Sequence, residues 1–122
     1  MSAEPRGRRT LQLGVSVGAA VVGLALAGAA VLFLLHGRRW FAHQGYPEAA
    51  AFGLGLSELA SGLLFAVPRT RLPGAAGLFA VLGWAAGFHF ALRESTVGLF
   101  LWMAAVAAIL ALGRLAPRRA AP

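Results

Sequence analysis

Glu58 is the residue of this 122-residue sequence with the clearest chemical potential, because it lies alone inside a long apolar stretch. A charged side chain at bilayer depth costs about 2.5–3.5 kcal/mol on insertion scales, so such residues usually face the protein interior and mark a site. Ser57 and Ser61 flank it with hydroxyl groups. We take these three residues as candidates for ligand binding or proton transfer. The alternative is a neutral carboxyl group that only joins two helices.

The spacing around Glu58 indicates which way its side chain points. Ala51, Gly55, Glu58 and Gly62 follow one another at intervals of four, three and four residues, so they share one face of a helix. Small residues on that face allow other helices to approach closely. We therefore predict that Glu58 faces neighbouring helices, about 13 Å below the outer end of its span.

Histidines and arginines form a second set of candidates. His89 lies near the outer end of the third apolar stretch, and His36, Arg38, Arg39 and His43 lie in the connection after the first. Aromatic and arginine side chains in such a connection anchor a protein at the lipid headgroups, or they form the lip of a polar ligand site. A haem held by His36 and His89 is a further alternative, although nothing in the spacing fixes their geometry. The sequence has no cysteine, and we predict no metal site.

Four long apolar stretches position these residues. Hydrophobic residues make up 59% of the chain, charged residues 12%, and the mean hydropathy is +0.74, which is typical of a membrane protein. Each stretch reaches the roughly 17–25 residues that a helix needs to cross about 30 Å of hydrocarbon. We predict an all-α fold, a membrane-spanning antiparallel four-helix bundle, with spans at 11–35, 49–67, 73–92 and 95–113.

The predicted domain organisation is simple. Residues 1–10 are expected to form a disordered basic tail, 11–115 the transmembrane domain, and 116–122 a second cytoplasmic tail. The first span could instead be a cleaved signal peptide, but its apolar stretch is longer than the 7–15 residues usual for one, so we expect a retained helix. The pairs Gly14 with Gly18 and Gly83 with Gly87 have the spacing that favours close helix contacts.

Arginine placement predicts the orientation. With four spans, the side that carries both termini and the second connection has eight arginines, against three on the other side. The positive-inside rule therefore predicts that both termini lie in the cytoplasm. The net charge of +7 is thus explained by the membrane surface, and we predict a lipid bilayer and no nucleic acid as partner.

One segment carries a family signature. It begins at Gly45-Tyr46-Pro47 and reaches the turn Pro68-Arg69-Thr70-Arg71, and between them lie Gly53, Gly55 and Glu58-Leu59-Ala60-Ser61-Gly62-Leu63-Leu64. This segment resembles the DoxX-like family of small bacterial four-helix membrane proteins, in which a glutamate of the second helix falls at Glu58. The basic residue that follows the first helix in that family falls at Arg38 or Arg39, with arginine where lysine is usual. The resemblance implies a multi-pass protein of the bacterial inner membrane.

The resemblance also implies a role. Some members of the family resemble a membrane subunit of thiosulfate:quinone oxidoreductase, so we expect an accessory or quinone-proximal subunit, a protein partner and no independent catalytic activity. No cofactor is evident, and a quinone is implied by the resemblance alone. Alternatives are a small proton-coupled transporter that uses Glu58, or a purely structural membrane partner. Small multidrug exporters carry their glutamate on the first helix, whereas residues 11–35 here contain no acidic residue.

Overall fold

A computed structural model describes residues 4–115 of the chain, with side-chain surroundings from Arg6 onward. This part of the chain is helical with short connections, so the all-α prediction is confirmed for it. The elements are α1 (Glu4–Leu32), a π-helical turn (Phe33–Gly37), α2 (Arg38–His43), α3 (Glu48–Ala66), a 3₁₀ turn (Pro68–Thr70), α4 (Arg71–Ala91) and α5 (Val97–Leu115). The predicted tail at 116–122 and residues 1–3 lie outside the described residues.

The first helical segment is longer than its apolar stretch. Residues 4–10 form the first turns of α1 instead of a disordered tail, because a proline in the first turn lacks only an N–H that the helix leaves unpaired anyway. At the other end the helix continues through the π turn and α2 to His43. The predicted connection of 36–48 is therefore helical over its first half. Only Gln44–Pro47 remain as a loop, with Gly45 at a φ of 82°.

The other helix boundaries follow the proline and turn signals closely. Helix α3 ends at Ala66, just before Pro68, as predicted. Helix α4 begins at Arg71, two residues before its predicted start, because Pro73 in its first turn needs no N–H partner. Thr70 closes this corner by donating from Oγ1 to the Leu64 carbonyl at 2.8 Å.

The described helices pack in the order α1, α3, α4, α5. The most extensive contacts are those of α3 with α1 and with α4, whereas α5 contacts α1 and α4 over smaller areas. Chain direction reverses between neighbours: Gly23 of α1 lies at Gly62, whereas Leu34, in the π-helical turn that follows α1, lies at Gly55. Helix α1 thus runs antiparallel to α3, and the contacts of Gly74 with Phe65 and of Gly77 with Ser61 indicate the same for α3 and α4.

Close helix contacts occur at glycines other than the expected pairs. A Cβ on Gly23 would lie 2.5 Å from the carbonyl oxygen of Gly62, and one on Gly62 would lie 2.7 Å from the carbonyl oxygen of Gly23. By contrast, a Cβ on Gly14, Gly83 or Gly87 would meet nothing within 4 Å. A Cβ on Gly18 would lie 3.7 Å from the Ile109 side chain, an ordinary contact, so the spacing of these pairs does not mark close contacts between helix backbones. Spacing alone does not say which face of a helix meets a neighbour.

Apolar side chains cover the outside of the molecule as well as its centre. The core contains Leu26, Phe65, Leu78 and Val106, all less than 2% exposed. Large apolar side chains also point outward on every long helix, for example Leu13, Leu56, Phe90 and Leu101. Within residues 4–115, four helices are long and apolar enough to span a membrane: Arg6–His43, Glu48–Ala66, Pro68–Ala91 and Val97–Leu115.

Candidate functional site

Glu58 lies near the middle of α3, on the helix face that its spacing predicts. Ala51, Gly55 and Gly62 on that face are buried, and Glu58 itself is half-buried. Its carboxyl group forms no hydrogen bond or ion pair with any other residue of the described part. The Glu58 carboxyl group is thus half-buried among the helices, but within the described residues it forms no bond to a neighbouring helix.

The two serines beside Glu58 have different surroundings. Ser61 is 8% exposed and packs against α4, where a Cβ on Gly77 would overlap its Oγ. Ser57 is exposed and lines a groove between α3 and α4. No hydrogen bond within residues 6–115 joins Glu58 to either serine. Ser57, Glu58 and Ser61 are therefore neighbours on α3, but no hydrogen bonds connect their side chains.

The groove beside Ser57 is apolar and about 320 Å³ in volume. The lining residues with polar side-chain atoms are Ser57 and Trp84, and Trp84 is 52% exposed. The other lining residues are Ala50, Gly53, Leu54, Ala80 and Val81. Sequence reasoning missed Trp84, although a single Trp among alanines and glycines is a usable signal.

His89, another predicted site residue, is engaged with the turn that follows α4. Its Nδ1 lies 2.5 Å from Oε2 of Glu94, and its ring stacks on Trp40 with 5.8 Å between centroids. The Glu94 N–H donates to the His89 carbonyl at 2.9 Å and the Arg93 N–H to that of Phe90 at 3.0 Å. Arg93 has a φ of 58°, so these bonds form a Schellman motif without its usual glycine. This motif brings Glu94 back to His89.

The aromatic residues near His89 form a cluster around Phe88, in which Phe41 is buried and Tyr46 and Trp84 are exposed. Phe41 is 1% exposed and stacks on Phe88 with 5.3 Å between ring centroids and 6° between planes. Tyr46 meets the Phe88 ring edge-on at 4.6 Å, and Trp84 stacks on it at 5.7 Å. The cluster fixes α2 and the loop after it on the end of α4.

A polar cavity of about 400 Å³ lies beside α2 and the start of α3. Of the residues predicted to form a polar lip, His36, Arg38 and Arg39 line this cavity and His43 does not. Glu48, the first residue of α3, also lines it and was not among the predicted site residues. It was missed because only the loop conformation brings the start of α3 back to α2.

Arg71 at the start of α4 was not predicted to have a role. Its Nε and Nη2 atoms are buried and have no hydrogen-bond partner among the described residues. No group of three or more metal-binding side chains occurs within the part of the chain that the structure describes.

Comparison with known proteins adds no relative. No protein-family model, no curated protein and no solved structure matches this chain.

Proposed function

We propose that the protein is an integral membrane protein whose four long helices cross the bilayer as an antiparallel bundle. The observation that carries this proposal is the apolar outer surface, including Leu13 at 66%, Phe90 at 78% and Leu101 at 66% exposure. A water-soluble bundle carries charged and polar residues on its outer faces. Four helices of sufficient length and apolarity support the same conclusion.

The proposed location is the bacterial cytoplasmic membrane, with both termini in the cytoplasm. The excess of arginines near the termini and the α3–α4 turn supports this orientation. Reporter fusions after His43 and after the C-terminus should report opposite sides of the membrane. Reports from the same side would contradict the four-span topology.

Within the membrane, we propose a DoxX-like accessory subunit that lies close to a quinone and a protein partner and performs no catalysis alone. The groove between α3 and α4 supports this role. It exposes the Trp84 ring and the Ser57 hydroxyl to a space large enough for an aromatic head group. Quinones dissolve in the hydrocarbon of the bilayer, and a groove between two spanning helices opens to that hydrocarbon.

Purification in mild detergent tests the role in two ways. A soluble redox enzyme should co-purify, and a short-chain ubiquinone should quench the fluorescence of Trp84, measured as the difference between the wild type and Trp84→Phe. Ala80→Leu, which fills the groove, should abolish that difference. Ala76→Leu is the matched control, because Ala76 is an exposed residue of α4 outside the groove. Equal quenching in the Ala80 and Ala76 variants would contradict a quinone in this groove.

A second candidate is a proton-coupled transporter, and the unpartnered carboxyl of Glu58 favours it. A carboxyl group that joins no helices is available to take up and release a proton. Glu58→Gln should leave the stability of the folded protein nearly unchanged, because the carboxyl group forms no hydrogen bond or ion pair within the described residues; even a lost intramembrane hydrogen bond would cost only about 0.6 kcal/mol on average. The same variant should abolish substrate-driven proton release from purified protein. If proton release persists, transport through Glu58 is excluded. Loss of folding instead would indicate the structural role.

A further inference from the structure

The polar cavity beside α2 has a composition that the quinone-proximal role does not require. It is lined by Leu35, His36, Arg38, Arg39 and Glu48. Two guanidinium groups and an imidazole thus share about 400 Å³ with one carboxylate. The cavity has an excess of positive charge even with a neutral histidine.

These charges do not neutralise one another. Neither arginine forms an ion pair within 4.0 Å with Glu48 or with any other residue of the described part. Arginine side chains have five N–H donors in a planar fork, which matches the oxygens of phosphate or carboxylate. The donors of this cavity are therefore available to an external anion.

One of the arginines is held in place by its surroundings. The guanidinium carbon of Arg38 lies 4.9 Å from the centroid of the Phe52 ring, in cation–π geometry. Phe52 belongs to the first turns of α3, so the contact fixes Arg38 relative to that helix. An ordered cation loses less conformational entropy when an anion binds.

The first turn of α3 adds a second source of positive potential. Glu48 begins the helix after Pro47, and no side chain caps the N-terminal N–H groups. The N-terminus of a helix has a partial positive charge that favours anions. The carboxylate of Glu48 lowers this potential by its own negative charge.

We propose that this cavity binds a phosphate-type oxyanion through Arg38 and Arg39. The inference rests on the proposed membrane location, because α1 and α3 both leave the apolar region beside the cavity, at the depth of the lipid headgroups. The phosphodiester of an anionic phospholipid lies at that depth. Free phosphate has the same chemistry, so the experiment separates the two sources.

The experiment measures lipid binding by native mass spectrometry of the full chain in a nonionic detergent. Phosphatidylglycerol should bind, and Arg39→Gln should weaken its binding about tenfold, since hydrogen bonds to charged groups are among the strong ones. Arg69→Gln is the matched control, because it removes an exposed arginine at the opposite end of α3. Glu48→Gln should strengthen binding severalfold, because it removes the negative charge of the cavity.

A competition with inorganic phosphate identifies the source of the oxyanion. If millimolar phosphate displaces the lipid, the cavity also accepts a free anion; if it does not, the lipid headgroup is the ligand. Equal weakening by Arg39→Gln and Arg69→Gln would overturn the proposal, because it would indicate general charge attraction. Undiminished binding by a folded Arg39→Gln, or no gain in Glu48→Gln, would also overturn it. Circular dichroism of each variant shows that it is folded, and reporter topology tests the membrane location separately.

Discussion

The helices α1, α3 and α4 pack differently from α5. At the crossing of α1 with α3, the backbones of Gly23 and Gly62 touch, and Gly74 of α4 lies against the backbone of Phe65. Along α5, in contrast, Val106 is the only buried residue of the described helix. Open grooves of about 250 Å³ and about 620 Å³ also lie along α5, one beside α4 and one beside α1.

The difference shows where packing is specific. In a membrane, lipid tails are as apolar as leucine, so helices associate through close contacts of small residues rather than through the hydrophobic effect. The first three long helices have such contacts, and α5 has few. The candidate functional residues, from Glu58 to the polar cavity, also lie on the closely packed helices and on α2. The α3-centred part is therefore the framework of the proposed sites.

The largest expected effect comes from replacing a phenylalanine by alanine, once in the closely packed part of the protein and once on α5. Phe41→Ala should lower the free energy of unfolding by about 3–5 kcal/mol, because Phe41 is 1% exposed and contacts four aromatic rings. Phe100→Ala on α5 should cost much less, because Phe100 is 57% exposed. Unfolding in detergent by thermal denaturation measures both. Similar losses in the two variants would remove the distinction between the regions.

A single methyl group at the α1–α3 crossing should have the next largest effect. Gly23→Ala places a Cβ against the backbone of α3 and should destabilise the protein by about 1–3 kcal/mol, the usual range for overpacking. Gly28→Ala is the control on the same helix, because its Cβ would meet nothing within 4 Å. The control should be neutral or stabilising, since alanine favours helices. A stable Gly23→Ala protein would indicate that the two backbones are not in contact.

The loose region should tolerate the same change. Gly87→Ala lies at the gap between α4 and α5, and a Cβ there would meet nothing within 4 Å. We expect a gain of up to about 1 kcal/mol from helix propensity. A loss of stability, seen in the same denaturation assay, would mean that α5 approaches α4 more closely than the structure shows.

The smallest expected effect concerns the turn between α4 and α5. Arg93 has a φ of 58°, a conformation that costs a side-chain-bearing residue about 1–2 kcal/mol and costs glycine nothing. Glycine loses about 0.4–1 kcal/mol more in conformational entropy, so Arg93→Gly should stabilise the protein by about 0.5 kcal/mol. Arg93→Val should destabilise it. If the valine variant is the more stable one, the left-handed conformation is not adopted.

Much of the fold could be predicted from the sequence, because its signals are local. Apolar length predicted four helices, and Pro68 marked the end of α3 within two residues. The face that contains Ala51, Gly55, Glu58 and Gly62 follows from helical periodicity alone. The membrane-spanning arrangement, the orientation and the DoxX-like role remain predictions.

The sites were less predictable, because they depend on contacts between distant segments. The sequence placed His36, Arg38 and Arg39 in one group, but it gave no reason to add Glu48 or to leave out His43. Glu94 reaches His89 only because the chain reverses at Arg93, five residues being too far apart to share a helix face. The pairs of glycines with the best spacing were not the glycines that touch.

By itself, the sequence determined that the protein is helical, strongly apolar and carries one acidic group within its second long apolar stretch. These properties depend on residue type and short-range spacing, which the chain carries whatever its neighbours are. Three further facts come from the packed structure: which glycines meet, that the Trp40 ring stacks on His89, and that two arginines share a cavity with Glu48. Those facts depend on the relative rotation of helices about their axes, which is set by the fit of all the packed side chains together and not by any one segment.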